Sequence, residues 1–222
     1  MLIAATAAAA LAWTPLPAAT LSRSEVAAAR VGGSIYVAGG FTPSGRTTAS
    51  VERYDIKRRR WRRVRPMPVA LNHPAAVAYR GRLYVSGGYA ASSALAAPSR
   101  ALLRYNPRRR RWKRLPPAPT PRAAHALAAI RGRLYLAGGA DDTGSLRSLE
   151  IYDLARRRWS RGPDFPGPAR NHTTGVASGG LFYVLAGRDS RNYATAERYD
   201  PRRRSWEAVS YTHLTLPTNR EV

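Results

Sequence analysis

The chain has 222 residues, no cysteine, and 37 Lys+Arg against 13 Asp+Glu, a net charge of +24. That length suits one domain or one repeat array, and the missing cysteine excludes disulfide scaffolds, thiolate metal sites and thiol nucleophiles. So basic a balance invites a polyanion partner. However, 35 of the 37 cations are arginine, beside abundant Ala, Gly and Pro, a bias that GC-rich codons produce unaided.

Residues 1–12, MLIAATAAAALA, are apolar and uncharged, and Ala10-Leu11-Ala12 has the small-x-small form of a secretory cleavage site. The segment reads as a truncated export signal without its basic start, which predicts a secreted or periplasmic protein. It is too short to span a bilayer.

VAAARV (26–31) then predicts a first short strand, and Gly32-Gly33 a tight turn. The continuous apolar run IYVA predicts a second strand covered on both faces, and Gly39-Gly40 closes it. A third strand ends at Tyr54-Asp55, and a fourth opens at Trp61. The pattern recurs. The pairs Gly39-Gly40, Gly87-Gly88 and Gly138-Gly139, with Ala186-Gly187 as a degenerate fourth, are spaced by 48, 51 and 48 residues. IYVA, LYVS, LYLA and FYVL precede them in register. Tyr54, Tyr105, Tyr152 and Tyr199 follow, each seven residues before Trp61, Trp112, Trp159 and Trp206. Trp13 sits in the same phase, 26 residues before Gly39. After Trp206 the composition turns abruptly Thr/Leu-rich, and 209–222 reads as a non-native tail of the kind adapter DNA gives when translated.

A period of this length is a repeat architecture. Each four-stranded unit must bury its faces against neighbours stacked around an axis. Glu52, Glu150 and Glu197, two before the strand tyrosine, are expected to pair with a repeated arginine.

Gly-Gly, then Tyr-Asp, then Trp resembles the kelch repeat, a β-propeller module, over 13–208. The resemblance implies an all-β fold of four complete four-stranded blades, at approximately 23–65, 71–115, 122–162 and 170–208. Trp13 to Leu16 would then be the outer strand of a closing blade, in an intact array of roughly five to seven blades.

Between each Tyr and Trp lies a basic run: Lys57 to Arg60, Arg108 to Arg111, Arg156 to Arg158 and Arg202 to Arg204. Together they put 14 cations on one rim. That rim is either a solvated turn or a site for nonspecific, salt-sensitive polyanion binding. On the opposite face, the segments leading into the innermost strands hold Glu25, Asn72-His73, Arg122, His125 and Arg170-Asn171-His172. Glu25, His73 and His172 are equivalent positions, with His125 one step later. These residues are expected around the mouth of the central channel, where they would bind a protein or a glycan.

Kelch-type propellers include a copper radical oxidase, a sialic acid epimerase (mutarotase) and many binding domains. The first needs a cysteine-crosslinked tyrosine, and the absence of cysteine excludes it as far as these 222 residues go. The resemblance leaves the epimerase as an alternative, with Arg, His and Glu moving protons at the mouth. No H-E-x-x-H, phosphate loop or Ser/His/Asp spacing is present. Asp141-Asp142 lacks the further oxygens of a calcium loop. The expectation is therefore a binding module without cofactor, metal or catalysis.

Overall fold

The computed structural model describes residues 14–209. Among these residues sixteen strands form four antiparallel sheets, each a meander in chain order. Blade one comprises β1 (Ala27–Val31), β2 (Ser34–Ala38), β3 (Val51–Asp55) and β4 (Arg60–Val64). Blade two comprises β5 (Ala75–Tyr79), β6 (Arg82–Ser86), β7 (Leu102–Asn106) and β8 (Arg111–Arg114). Blade three comprises β9 (Ala126–Ile130), β10 (Arg133–Ala137), β11 (Leu149–Asp153) and β12 (Arg158–Arg161). Blade four comprises β13 (Thr174–Ser178), β14 (Leu181–Leu185), β15 (Ala196–Asp200) and β16 (Ser205–Ala208). The innermost strands β1, β5, β9 and β13 pack one against the next, which is the arrangement of a β-propeller. Among the described residues no helix is long and apolar enough to cross a membrane.

The repeated residues explain this stacking. Tyr54, Tyr105, Tyr152 and Tyr199 lie directly opposite Trp61, Trp112, Trp159 and Trp206 across the outer strand pair. Ring centroids are 4.9–5.1 Å apart, so each pair buries its apolar area as one unit. Each of these four indole N–H groups donates to a carbonyl of the preceding linker: Pro17, Arg65, Pro116 and Pro163 respectively, at 2.8–3.0 Å. The Tyr-to-Trp spacing thus sets the cross-strand pair, and the indole clamps the proline-rich segment that carries the chain onward.

The glycine pairs join neighbouring blades. The N–H groups of Gly40, Gly88 and Gly139 donate to the carbonyls of Leu71, Arg122 and Arg170 in the following blade, at 2.8–2.9 Å. A Cβ on Gly87, at φ 59°, would stand 2.2 Å from that Arg122 carbonyl, so no side chain fits there. In blade four the first position is Ala186, exposed and with φ of 52°.

Trp13, the apolar opening 1–12 and the tail from 210 lie outside the described residues. Thr14 to Leu16, expected to be strand, are not: no strand among the described residues lies alongside to supply backbone partners. At the other end Val209 still donates its N–H to Ala196 O at 2.8 Å.

Candidate functional site

Four equivalent residues turn the chain into the innermost strands: Glu25, His73, Ala124 and His172. Each adopts a left-handed conformation, with φ of 51–53°, uncommon for residues other than glycine. Three backbone hydrogen bonds string them together across blades. His73 N donates to Glu25 O at 3.0 Å, Ala124 N to His73 O at 2.9 Å, and Thr173 N to Ala124 O at 3.4 Å. This spine fixes the turns around the axis and directs the side chains of Glu25, His73 and His172 to one point.

There, His73 Nε2 lies 3.0 Å from Glu25 Oε2, and the His73 and His172 rings meet edge to face with centroids 4.9 Å apart. Phe41 and Tyr89 also approach His73 edge-on. Arg188 brings its guanidinium to 3.0 Å from His172 Nε2. Burial holds His73 below the ordinary imidazole pKa; Glu25 opposes that shift, while His172 and Arg188 add to it. His172 is depressed in the same way, by burial and then by Arg188. Both imidazoles therefore tend to be neutral near pH 7. The group borders an open cavity of about 360 Å³, also lined by Ala124, His125 and Thr173. A second cavity, of about 400 Å³, continues past Glu25 and His172 to Arg188, Asn192 and Tyr193.

Of the residues expected at the mouth, Glu25, His73 and His172 come together there, and Asn72 and Asn171 stand directly behind the two histidines. His125 is buried between blades two and three, where its Nε2 meets Ser86 Oγ at 2.7 Å. Burial, with Arg122 adding to it, pushes its pKa down to about 3. Arg122 and Arg170 are not at the mouth. Both have zero exposure and belong to the core, where each guanidinium meets a buried glutamate. Arg122 donates to Gly138 O and Ser148 Oγ, with Glu150 as its counter-ion at 3.2 Å. Arg170 pairs with Glu197, and Arg23 with Glu52 at 2.7 Å. These are the arginines that the repeated glutamates were expected to meet.

Arg188 was not singled out from the sequence. It follows Gly187 directly, the phase that Phe41, Tyr89 and Ala140 occupy after their glycine pairs, and all four form the same isolated bridge. The repeat register therefore points to it.

The model of the KLHDC2/KLHL20/DRC7 Kelch-repeats domain matches residues 25–222. Human Kelch-like protein 34 is 33% identical over 126 residues, covering 56% of this chain and 20% of that protein. Kelch-like protein terF of Aspergillus terreus is 32% identical over 140 residues, 57% of this chain and 30% of its own length. The chain thus spans between a fifth and a third of these relatives. The solved structure of YjhT superposes with a TM-score of 0.72 at 17% identity, over 88% of this chain and 67% of YjhT; that likeness concerns the fold.

Proposed function

We propose that this chain, which belongs to the kelch-repeat family, is a non-catalytic module that binds a protein ligand at the mouth of its central channel. Kelch-repeat domains are in general protein-interaction modules. The observation that supports this location is the convergence of loops from blades one, two and four on Glu25, His73, His172 and Arg188. Several loops held by a rigid scaffold around one concave polar surface are how such folds build recognition sites. The test is selection of a displayed peptide library on the protein, followed by binding to Arg188→Ala and His172→Ala. Binders should weaken by at least ten-fold on both. Binders insensitive to both variants and sensitive to the arginine rim would overturn the proposal.

A carbohydrate ligand at the same mouth, with epimerase chemistry, is the rival reading. Proton-exchange NMR of sialic acid anomers distinguishes it: acceleration by the protein that is lost in His73→Ala or His172→Ala would make this an enzyme.

A second reading, polyanion binding by the rim, is favoured by a separate observation. Arg59, Arg110, Arg157 and Arg204 occupy the same turn position in the four blades, each with φ of 50–57°. Glycine fits that conformation better. Between blades one and two, Lys57, Arg62, Arg108 and Arg110 line a cavity of about 750 Å³ in which Asp55 is the one acidic group among the described residues. Retention on heparin that persists at physiological salt and falls steeply above it would support this reading.

A further inference from the structure

Thr47 Oγ1 donates its single proton to Ala91 O at 2.6 Å, so toward Asn72 Nδ2, 2.9 Å away, it acts as an acceptor. The Asn72 amide is thereby oriented with its oxygen against His73 Nδ1 at 2.8 Å, and that nitrogen carries the imidazole proton. Blade four repeats the chain of hydrogen bonds. Ser145 Oγ donates to Asp189 Oδ1 at 2.7 Å and accepts from Asn171 Nδ2 at 2.8 Å. Asn171 Oδ1 then accepts from His172 Nδ1. Each imidazole thus holds its proton on Nδ1 and, when neutral, turns an Nε2 lone pair to the channel mouth, where the Arg188 guanidinium covers that of His172.

These two lone pairs meet the Glu25 carboxylate at the channel mouth. One donor atom from each of the three residues falls within 4.8 Å of the others. His73 Nε2 lies 3.0 Å from Glu25 Oε2, and among the described residues the cation against His172 Nε2 is the exposed guanidinium of Arg188. Histidines whose Nδ1–H is held by a fixed oxygen so that Nε2 is free have the outer-shell arrangement of metal ligands. We propose that Glu25, His73 and His172 bind a divalent transition-metal ion through two Nε2 atoms and a carboxylate oxygen.

Two imidazoles with one carboxylate select zinc, cobalt, nickel or copper over magnesium and calcium, which prefer all-oxygen sites. With metal–ligand bonds of about 2 Å, donors on a common ion lie roughly 3–4 Å apart. Closing this set therefore takes a movement on the order of 1 Å. Glu25, whose side chain is 43% exposed, has room to make it. Arg188 swings into solvent as the ion enters, and the remaining coordination positions open onto the cavity.

The experiment is titration of the full chain with Co²⁺, read by visible d–d absorption and by calorimetry, then displacement with Zn²⁺. We expect one Co²⁺ per chain, bound at least ten-fold more weakly by Glu25→Gln, His73→Ala and His172→Ala. Asn171→Ala should lose about ten-fold through the freed imidazole. Arg188→Ala should bind more tightly, since no guanidinium competes for the lone pair. Absence of binding, binding unchanged in Glu25→Gln, or weaker binding in Arg188→Ala would each overturn the proposal. The last two variants alter exposed side chains and keep the test decisive if a histidine variant fails to fold. The titration needs no protein ligand, so its failure leaves the protein-binding proposal standing, and the reverse holds.

Discussion

Blades two and three solve the same packing problem with opposite chemistry. In blade three the buried pair beside the glycines is Arg122 with Glu150; in blade two the same positions hold Leu71 and Leu103, both with zero exposure. The backbone around them hardly differs. Leu71 O accepts from Gly40 N at 2.8 Å, and Arg122 O from Gly88 N at 2.9 Å. What the fold requires at this position is a carbonyl for the neighbouring blade's glycine. The side chain behind it is free to be ionic or apolar, provided that its partner matches. A buried ion pair loses in desolvation much of what it gains in attraction, so an apolar pair of suitable volume substitutes with little net change. Breaking one member of the pair is different, because the other charge stays buried without a partner.

The largest expected effect breaks that match. Arg122→Leu alone leaves Glu150 uncompensated and should destabilise the protein by about 3–5 kcal/mol, read as a lower urea midpoint. The double variant Arg122→Leu/Glu150→Leu, which writes blade two's solution into blade three, should recover most of the loss. A deficit of about 1–2 kcal/mol should remain, since Gly138 O and Ser148 O lose the guanidinium donor. A double variant no more stable than the single one would show that the two blades are not interchangeable.

The next effect sharpens the comparison through pH. Blade three carries His125 where blade two carries Pro74, and burial holds that imidazole at about 3. Between pH 6.5 and about 3 the unfolded chain binds a proton that the folded chain does not. Stability therefore rises with pH across that window, by up to about 1.4 kcal/mol per unit from this group, and is lost on acidification. His125→Asn should flatten the slope of urea midpoint against pH. His73 and His172, both depressed as well, supply part of the slope that remains, and Asp55, Asp141, Asp153 and Asp200, whose carboxyls lie below their ordinary pKa, supply more at the acid end. An unchanged slope would mean that His125 titrates normally.

Much of this was legible in the sequence because it is periodic. The Tyr-to-Trp gap, the glycine pairs and the repeated glutamates each encode one contact made in several blades, and a period of 48 to 51 residues made them visible. Glu25, His73 and His172 were legible for the same reason: they share one phase. Arg122 and Arg170 share a phase too, two residues earlier, and nothing in the spacing distinguishes a side chain turned to the axis from one turned into the blade. The hydroxyls that orient the asparagines were out of reach. Thr47 is eight residues beyond Gly39 and Ser145 seven beyond Gly138, in loops whose lengths vary from blade to blade, so no register carries them.

The smallest effect concerns the rim, where blades two and three agree. Arg110 and Arg157 both stand at positive φ in the turn that Asn106 and Asp153 cap through their side-chain oxygens. A left-handed conformation costs a residue with a Cβ roughly 1–2 kcal/mol, partly offset because glycine gains entropy in the unfolded chain. Arg110→Gly should therefore raise the urea midpoint slightly, by up to about 1 kcal/mol. Arg109→Gly, one residue earlier and outside the left-handed region, should lower it. Equal losses from both would mean that the Arg110 side chain makes contacts that outweigh its backbone strain. The outcome also bears on the net charge of +24. GC-rich codons supply glycine as readily as arginine, so genome composition does not explain arginine at all four positions where glycine fits better. If Arg59, Arg110, Arg157 and Arg204 together become glycine, the protein should be at least as stable as before. Its retention on heparin should move to lower salt, with a shallower salt dependence. Stability gained as polyanion affinity is lost is the pattern expected where surface charge was kept for binding at the expense of the fold.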